Sequence, residues 1–224
     1  MSTTPQMQLS PAEEEYVEAI YRLTREGEPA HTDDIAASVG VSAGAASGML
    51  KRLAGRKLVD YERYAGAELT SDGEREALRI IRRHRLLERL LTDILKIPWH
   101  DVHDQACRLE HGIMPAMEEG IEEALVDAST CPHGHPIPTR EGQVVEQQAR
   151  PLSEVECGRR VKIVRIAQEG ADFLRYLSSL GLLPEIEVTV EAKAPFAGPV
   201  MVGVGGAHYA LGREVAQAIM VAPA

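Results

Sequence analysis

The side chains best suited to chemistry lie in a short run from residue 100 to residue 112, HDVHDQACRLEHG. On a helix, which turns about 100° per residue, four of them share an arc of about 100°: His103, Cys107, Glu110 and His111. On the predicted helix before it, His84 and Glu88 are four residues apart and therefore also share one face. Imidazole, carboxylate and thiolate donors on two successive helices predict a site for a divalent transition metal.

The same side chains are open to simpler interpretations. A pair such as His84 and Glu88, taken alone, is more typical of a charged, solvated helix face, and Cys107 could be a buried apolar residue. A closed, cysteine-rich zinc site is disfavoured because the sequence has no C-x-x-C pair. A catalytic metal would need a substrate pocket and a separate general base, for which there is no recognisable motif. A metalloenzyme is therefore a minor alternative, and the protein is predicted not to be an enzyme.

The elements upstream of these ligands predict a winged helix-turn-helix. Ser10, Pro11 and Glu13 have the types and spacing of an N-cap, an N1 proline and a capping-box glutamate. After the next turn, Ser42 caps a second helix, AGAASGMLKRLAGRK, as in a helix-turn-helix. The alternating segment LVDYERYAGAELT, with its central glycine, predicts a β-hairpin that forms the wing. We predict a DNA-binding domain over residues 1–73.

The next elements are predicted to be helical. Ser71 and Glu74 form a capping box that opens a long helix, and Pro98 ends it. A later helix, PAMEEGIEEALVDA, completes an apolar stripe that is either core alone or core with a dimer contact. The members of this stripe are Ile113, Met117, Ile121 and Leu125. These helices predict a metal-binding and dimerisation domain over residues 74–140.

The segment STCPHGHPIPTREGQ is rich in proline and glycine and is typical of an irregular connection, with a linker predicted at residues 141–152. Cys131, His133 and His135 in this segment could form a third metal site, but incidental ligands in a linker are the favoured interpretation. Beyond it, RVKIVRIA, EIEVTVEA, VMVGVGG and AQAIMVA are strand-like, and glycines mark turns between them. They predict a small β-barrel over residues 153–224.

Charge clusters locally although the formal net charge is -10, a total that by itself argues against a nucleic-acid partner. Residues 51–63 contain five basic and two acidic side chains, and residues 75–89 contain six arginines and two glutamates. Solvated helix faces explain either cluster alone about as well. Because the first cluster follows a helix-turn-helix directly, phosphate contact is the better explanation for it.

The second helix of the motif begins with small residues that offer few base contacts. The predicted DNA-binding residues are Ser42, Ala45, Ala46, Ser47, Lys51 and Arg52. The serines can donate to phosphates or bases and the alanines can contact thymine methyl groups, but an Arg, Asn or Gln for bidentate base recognition is missing. Sequence discrimination is therefore expected to depend on DNA shape and close backbone approach.

Several classes of protein are disfavoured by composition. No apolar run approaches the roughly 20 residues of a membrane span, and the polar start MSTTPQMQLS lacks the regions of a signal peptide. The three cysteines are widely spaced, so a disulfide framework is disfavoured. A cytoplasmic protein without a membrane partner is predicted.

Three segments in order, RRHRLLERLLTDIL, VHDQACRLEH and CPHGHPIP, lie between the winged helix and the barrel. In this arrangement the chain resembles, over almost its whole length, the diphtheria toxin repressor family of iron- and manganese-dependent transcriptional regulators. The resemblance implies a mainly α fold with a C-terminal small β-barrel of the SH3-like (FeoA-like) type. It also implies a homodimer that binds double-stranded promoter DNA, with two metal sites in each chain.

The ligands that the resemblance implies fall into two clusters. The first joins a side chain near the start of the first helix to the CRLEH run, giving Glu15, Cys107, Glu110 and His111. The second joins the upstream pair to the first histidine of the run and to two residues of the barrel domain, giving His84, Glu88, His103, Glu169 and Asp172. The last two fit the pattern only with a one-residue shift.

Iron-responsive members of that family typically have methionine where this chain has Glu15, and manganese-responsive members typically have a carboxylate there. A hard oxygen donor favours Mn(II) or Fe(II), while the retained Cys107 makes the site a hybrid. The prediction is a repressor activated by Mn(II), with an Fe(II)-responsive regulator of iron homeostasis as the alternative. A metal-transport adaptor is less favoured, and Glu18 is expected to be solvated rather than an extra ligand.

Overall fold

The computed structural model describes residues 9–126 and 128–224. These residues form two compact units, the first made of the chain up to Arg82 with residues 138–143, the second of residues 83–137 and 144–224. The helices are α1 (Pro11–Leu23), α2 (Thr32–Val39), α3 (Ala43–Gly55), α4 (Ser71–Arg89), α5 (Val102–Leu109), α6 (Pro115–Ala124), α7 (Ala171–Ser179) and α8 (Arg213–Ala218). The predicted domain limits at 73, 140 and 152 stay predictions.

The first unit is a three-helix core with a hairpin. The predicted capping box opens α1, because Ser10 and Glu13 exchange backbone and side-chain hydrogen bonds. Ile20, Ile35 and Leu50, one from each helix, are completely buried in a single apolar cluster. The hairpin pairs β1 (Val59–Glu62) with β2 (Gly66–Leu69) in antiparallel register. Helix, turn, helix and hairpin thus follow in the predicted order.

The helices of the second unit surround a separate apolar cluster. It includes Leu86, Leu87, Val102, Ala106 and Ile121. α4 continues into a π-helical turn at Leu90–Ile94, and α5 continues into a 3₁₀ turn at Glu110–Gly112. The predicted helix over residues 100–112 is therefore shorter and tighter at its end, and that end holds two predicted ligands.

The C-terminal part of the second unit is an antiparallel sheet. Its strands are β3 (Arg150–Pro151), β4 (Arg160–Ile166), β5 (Glu187–Lys193), β6 (Val200–Val204), β7 (Ala207–Leu211) and β8 (Ile219–Pro223). They lie in the order β3-β8-β4-β5-β6-β7, so within the described residues the end strands β3 and β7 are not paired with each other. The SH3-like topology is as predicted, but the sheet remains open rather than closing into a complete barrel.

None of the helices in residues 9–126 and 128–224 combines the length and the apolar character that a membrane span requires.

Candidate metal centre

His84 lies at the centre of a buried polar cluster. It projects from α4 and is 2% exposed. Its Nδ1 is 2.7 Å from Oε2 of Glu110, and its Nε2 is 3.1 Å from Oε1 of Glu88 and 3.2 Å from Nδ1 of His103. The i, i+4 spacing places His84 and Glu88 on one face of α4. Both side chains are buried, so this face is not the solvated helix face that was the alternative interpretation.

Cys107 extends the same cluster along α5. It follows His103 by one helical turn, and its Sγ lies 3.8 Å from Nε2 of that histidine. His84, His103 and Cys107 each offer one donor atom, and these three atoms all lie within 4.8 Å of one another. An N₂S donor set of this kind can hold a divalent transition metal.

Glu110 and His111 lie in the 3₁₀ turn after α5. Glu110 is 3% exposed, and Nε2 of His111 is 3.7 Å from its Oε1. Arg83 Nη1 donates to the backbone carbonyl of Glu110 at 2.9 Å, which fixes the turn. Glu15, the fourth predicted member of this cluster, is exposed on α1 in the first unit. Its place in the cluster stays a prediction.

A second group of donors forms around the other side of Glu88. Glu88, Cys131, His133 and Glu169 offer donor atoms that all lie within 4.8 Å of one another. Glu88 is completely buried, and its Oε1 is 3.3 Å from Nδ1 of His133. Its buried Oε2 has no hydrogen-bond partner among the described residues. A buried carboxylate oxygen without a donor is costly, and a cation there would satisfy it.

The CPHGHP segment is fixed in place by backbone hydrogen bonds. The N–H of Cys131 donates to the carbonyl of His135 at 2.8 Å, and the N–H of Ile166 on β4 donates to the carbonyl of His133 at 2.9 Å. Nε2 of His133 donates to the carbonyl of Trp99 at 2.8 Å, which orients Nδ1 toward Glu88. A backbone acceptor on one imidazole nitrogen commonly orients the other toward a metal.

Two predicted placements differ from the structure. The interpretation of Cys131 and His133 as incidental linker ligands is not supported, since both are buried beside Glu88; β4 holds this segment by tertiary contacts that proline and glycine content does not reveal. Asp172 is not brought to the cluster, because its side chain is fully exposed and pairs with Arg175. His135 is buried, and its Nε2 lies 3.4 Å from Glu169.

The pKa values of this region reflect competition between burial and hydrogen bonds. Burial alone lowers the pKa of His103, but hydrogen bonds with Cys107 and Glu88 outweigh it and raise that pKa to about 10. Burial alone raises the pKa of Glu88, but hydrogen bonds from surrounding histidines hold it well below its usual value. Burial, and then the charges of Glu88 and Glu169, raise the pKa of Cys131 well above the usual thiol value.

Gly134 allows the CPHGHP turn to pass close to β4. Its φ is +89°, and a Cβ there would lie 2.0 Å from the carbonyl oxygen of Val164. Gly134→Ala is expected to cost more than the about 1–2 kcal/mol of a left-handed alanine, because the backbone must also move. Gly158→Ala is the matched control, since its φ is +82° and a methyl group there would meet no atom within 4 Å beyond its two neighbours in the chain.

The measurement is the melting temperature of both variants with and without Mn(II). Gly134→Ala should melt well below Gly158→Ala and should lose most of the stabilisation that metal gives. Equal melting temperatures would show that the turn tolerates a side chain.

The start of α3 presents most of the predicted DNA-binding residues. Ser42 is exposed and caps the helix by accepting from the N–H of Ala45 at 3.3 Å. Lys51 and Arg52 are exposed further along the same helix. The prediction that Ala46 contacts DNA was wrong. This residue is completely buried in the core of the first unit and is not available to a base. It shares the inner face with residues four and seven positions later, which a helical count would have revealed.

Family models match nearly the whole chain in three parts. Residues 8–67 match the N-terminal DNA-binding domain of iron-dependent repressors, residues 70–139 match their metal-binding and dimerisation domain, and residues 150–223 match the FeoA domain. The iron-dependent repressor IdeR of Mycobacterium tuberculosis is 31% identical, with 93% of this chain and 95% of that protein aligned. The diphtheria toxin repressor of Corynebacterium glutamicum is 31% identical over 93% and 94% of the two chains.

Solved structures give the same result. A manganese-dependent transcriptional repressor in complex with manganese is 35% identical and superposes with a TM-score of 0.88 over 95% of this chain and 100% of that one. ScaR with bound Cd²⁺ is 27% identical, with a TM-score of 0.82 over 95% and 99% of the chains. The first three of these four relatives are named as repressors rather than as enzymes.

Proposed function

The chain belongs to the diphtheria toxin repressor family of iron- and manganese-dependent repressors, and we propose that Mn(II), with Fe(II) as the alternative, is the metal that activates it. It is a metal-activated, DNA-binding transcriptional repressor. The observation that supports a metal switch most directly is the buried group of Glu88, Cys131, His133 and Glu169 in a chain that also carries a winged helix-turn-helix. A DNA partner would require a cytoplasmic location.

We assign the metal ligands to two clusters in each chain. One is the buried group around Glu88, which includes Glu169 together with two donors of the CPHGHP segment. The other contains His84, His103 and Cys107, with Glu110 beside His84 and His111 beside Glu110. We propose that Glu15 joins this second cluster when metal binds. The donor types fit a divalent transition metal, and the orphaned Oε2 of Glu88 provides a place for positive charge.

Metal preference is set by the balance of hard and soft donors. Carboxylates from Glu88, Glu169 and Glu15 favour Mn(II) and Fe(II), whereas the thiols of Cys107 and Cys131 suit Fe(II) and Zn(II) better. We infer a preference for Mn(II), with Fe(II) second. Titration of Mn(II), Fe(II) and Zn(II) against operator binding would separate these metals.

The switch depends on repulsion among charged ligands. Glu15 lies on α1 beside the helix-turn-helix, while Cys107, Glu110 and His111 lie in the metal-binding helices. A divalent cation supplies positive charge that offsets this repulsion when bound. We propose that Glu15 then joins the helical ligands and favours one orientation of the winged helix, which selects the DNA-binding state.

The protein is proposed to act as a homodimer through the face of α6. The apolar stripe predicted from the sequence divides in the structure: Ile121 and Leu125 are buried, whereas Met117 remains 48% exposed. Met114 and Val126 are also exposed, at 63% and 84%. Exposed apolar side chains next to a buried stripe are typical of a surface that a second subunit covers.

The test is fluorescence anisotropy on promoter DNA in saturating Mn(II) and in EDTA. A coupling of about 1–3 kcal/mol predicts a roughly 5- to 150-fold weaker affinity in EDTA. Glu15→Ala should reduce this difference at least severalfold while leaving the EDTA affinity unchanged. Equal affinities of the native protein in both buffers would refute the switch. A Glu15→Ala protein that responds fully to Mn(II) would show that Glu15 is not the ligand that joins the winged helix to the metal.

A further inference from the structure

Glu13 is a buried carboxylate at the start of α1 that the metal switch does not use. It is 1% exposed and lies in the first turn of the helix. Burial by itself raises the pKa of Glu13, but hydrogen bonds from Arg56 and Ser10 lower it to about 2. A buried carboxylate that stays charged must have partners that compensate for its lost hydration.

The two oxygens of this carboxylate have different partners. Oε2 accepts from the backbone N–H of Ser10 at 2.8 Å and from its hydroxyl at 2.9 Å. Oε1 lies 2.7 Å from Nη1 of Arg56 and 3.2 Å from Nε of Arg52. One oxygen therefore completes the cap of α1, while the other holds two arginines of the C-terminal end of the recognition helix α3.

The two arginines differ in what remains available to a partner. The side chain of Arg56 is 27% exposed, whereas that of Arg52 is 63% exposed although its Nε is held by Glu13. The guanidinium is planar, so a contact at Nε orients the edge formed by Nη1 and Nη2, with which arginine binds a phosphate through two hydrogen bonds. Fixing this fork before binding also reduces the side-chain entropy lost on the DNA.

We propose that Glu13 is a positioning residue for DNA binding, which aims the guanidinium of Arg52 at a backbone phosphate. The proposal rests on the proposed function, because it needs the winged helix-turn-helix to bind DNA. It deepens that function because Glu13, which contacts the phosphate-binding Arg52, lies only two positions from Glu15 along α1. The turn of helix that carries the proposed metal ligand therefore also holds an arginine of the recognition helix.

A simple charge argument predicts the opposite effect of losing Glu13. Removing a carboxylate from a DNA-binding surface reduces repulsion of the phosphates and should strengthen binding at low salt. The positioning role instead predicts weaker binding, because Arg52 loses its fixed orientation. The sign of the change therefore separates the two explanations.

The experiment uses Glu13→Gln in the full chain, with promoter DNA and saturating Mn(II) over a series of salt concentrations. Glutamine can serve as the N3 residue of a capping box, so the start of α1 is retained while the ion pair is removed. We expect roughly tenfold weaker DNA binding, and a salt slope smaller by about 0.9 because Arg52 no longer neutralises one phosphate. Unchanged or tighter binding by a folded variant would overturn the proposal.

Three further variants distinguish the effects of losing the helix cap, of losing a negative charge and of losing Arg52. Ser10→Ala removes a cap partner only and should leave the salt slope unchanged, and Asp60→Asn removes an exposed carboxylate of β1 and should not weaken binding. Arg52→Gln should reproduce the effect of Glu13→Gln, and the double variant should be no weaker than either single one.

Arg52→Gln also keeps the proposal testable if Glu13→Gln fails to fold, since Arg52 is exposed. A native salt slope in Arg52→Gln would overturn the phosphate contact. Native protein that binds DNA equally with and without metal would refute the proposed function. Native protein that responds to metal while Glu13→Gln binds normally would refute only the role of Glu13.

Discussion

Replacing Glu88 by glutamine is expected to abolish metal-dependent DNA binding. Its Oε1 lies 3.1 Å from Nε2 of His84, 3.3 Å from Nδ1 of His103 and 3.3 Å from Nδ1 of His133, so the carboxylate adjoins both proposed clusters. Loss of a residue that only supports a ligand costs roughly 10- to 100-fold in metal affinity. Loss of the charged ligand itself should cost more than the upper end of that range.

Isothermal titration with Mn(II) measures this change, and anisotropy on promoter DNA measures its consequence. Glu146→Gln is the matched control: it makes the same chemical change in the same unit, at an exposed carboxylate that pairs with Arg165 at 2.9 Å. Glu146→Gln should bind metal and DNA normally. If Glu88→Gln retained native Mn(II) affinity, the group around Glu88 could not be the metal site.

The helical half of the candidate site could be predicted from sequence because helix geometry is local. The i, i+4 spacings of His84 with Glu88 and of His103 with Cys107 determine which side chains share a face. In the structure His84, His103 and Cys107 form one group of donors, and Glu88 contacts both histidines. The capping box of α1 is also a local pattern of a few residues, and it forms as predicted between Ser10 and Glu13. The prediction for α4 was wrong by one residue, because the hydroxyl of Thr70 rather than that of Ser71 accepts from the first turn, from the N–H of Gly73 at 3.1 Å.

The loop half of the site could not be predicted in the same way. Cys131 and His133 meet Glu88 and Glu169 only after β4 has hydrogen-bonded the CPHGHP segment, and no periodicity in the sequence reports that contact. The available signal was the density of ligand types in a short segment. It was outweighed by the proline and glycine content, which describes backbone irregularity and carries no information about burial.

The sheet shows the same division between local and tertiary information. Alternating apolar residues identified its strands, but closure depends on whether β3 and β7 meet. β3 has two residues, which pair with β8 alone. Among the described residues β3 and β7 do not pair, so the sheet is open.

Replacing Cys131 by serine is expected to change metal selectivity more than folding. Cys131 is 2% exposed, and serine is close to it in size, so the cavity cost is small. A thiolate binds Zn(II) more strongly than Mn(II), and a hydroxyl is a poor ligand for either. The variant should lose Zn(II) affinity about 100-fold and Mn(II) affinity about tenfold, because Mn(II) relies more on the carboxylates.

Cys157→Ser is the control, because Cys157 is exposed and belongs to neither cluster. Competition titrations with Zn(II) and Mn(II) on both variants give the ratio of the two affinities directly. A Cys131→Ser protein with the native ratio would exclude the thiol from the metal site, which would then consist of Glu88, His133 and Glu169. Three such ligands suit Mn(II), so this result would strengthen manganese as the activating metal and would leave Cys107 as the sulfur donor that keeps Fe(II) as the alternative.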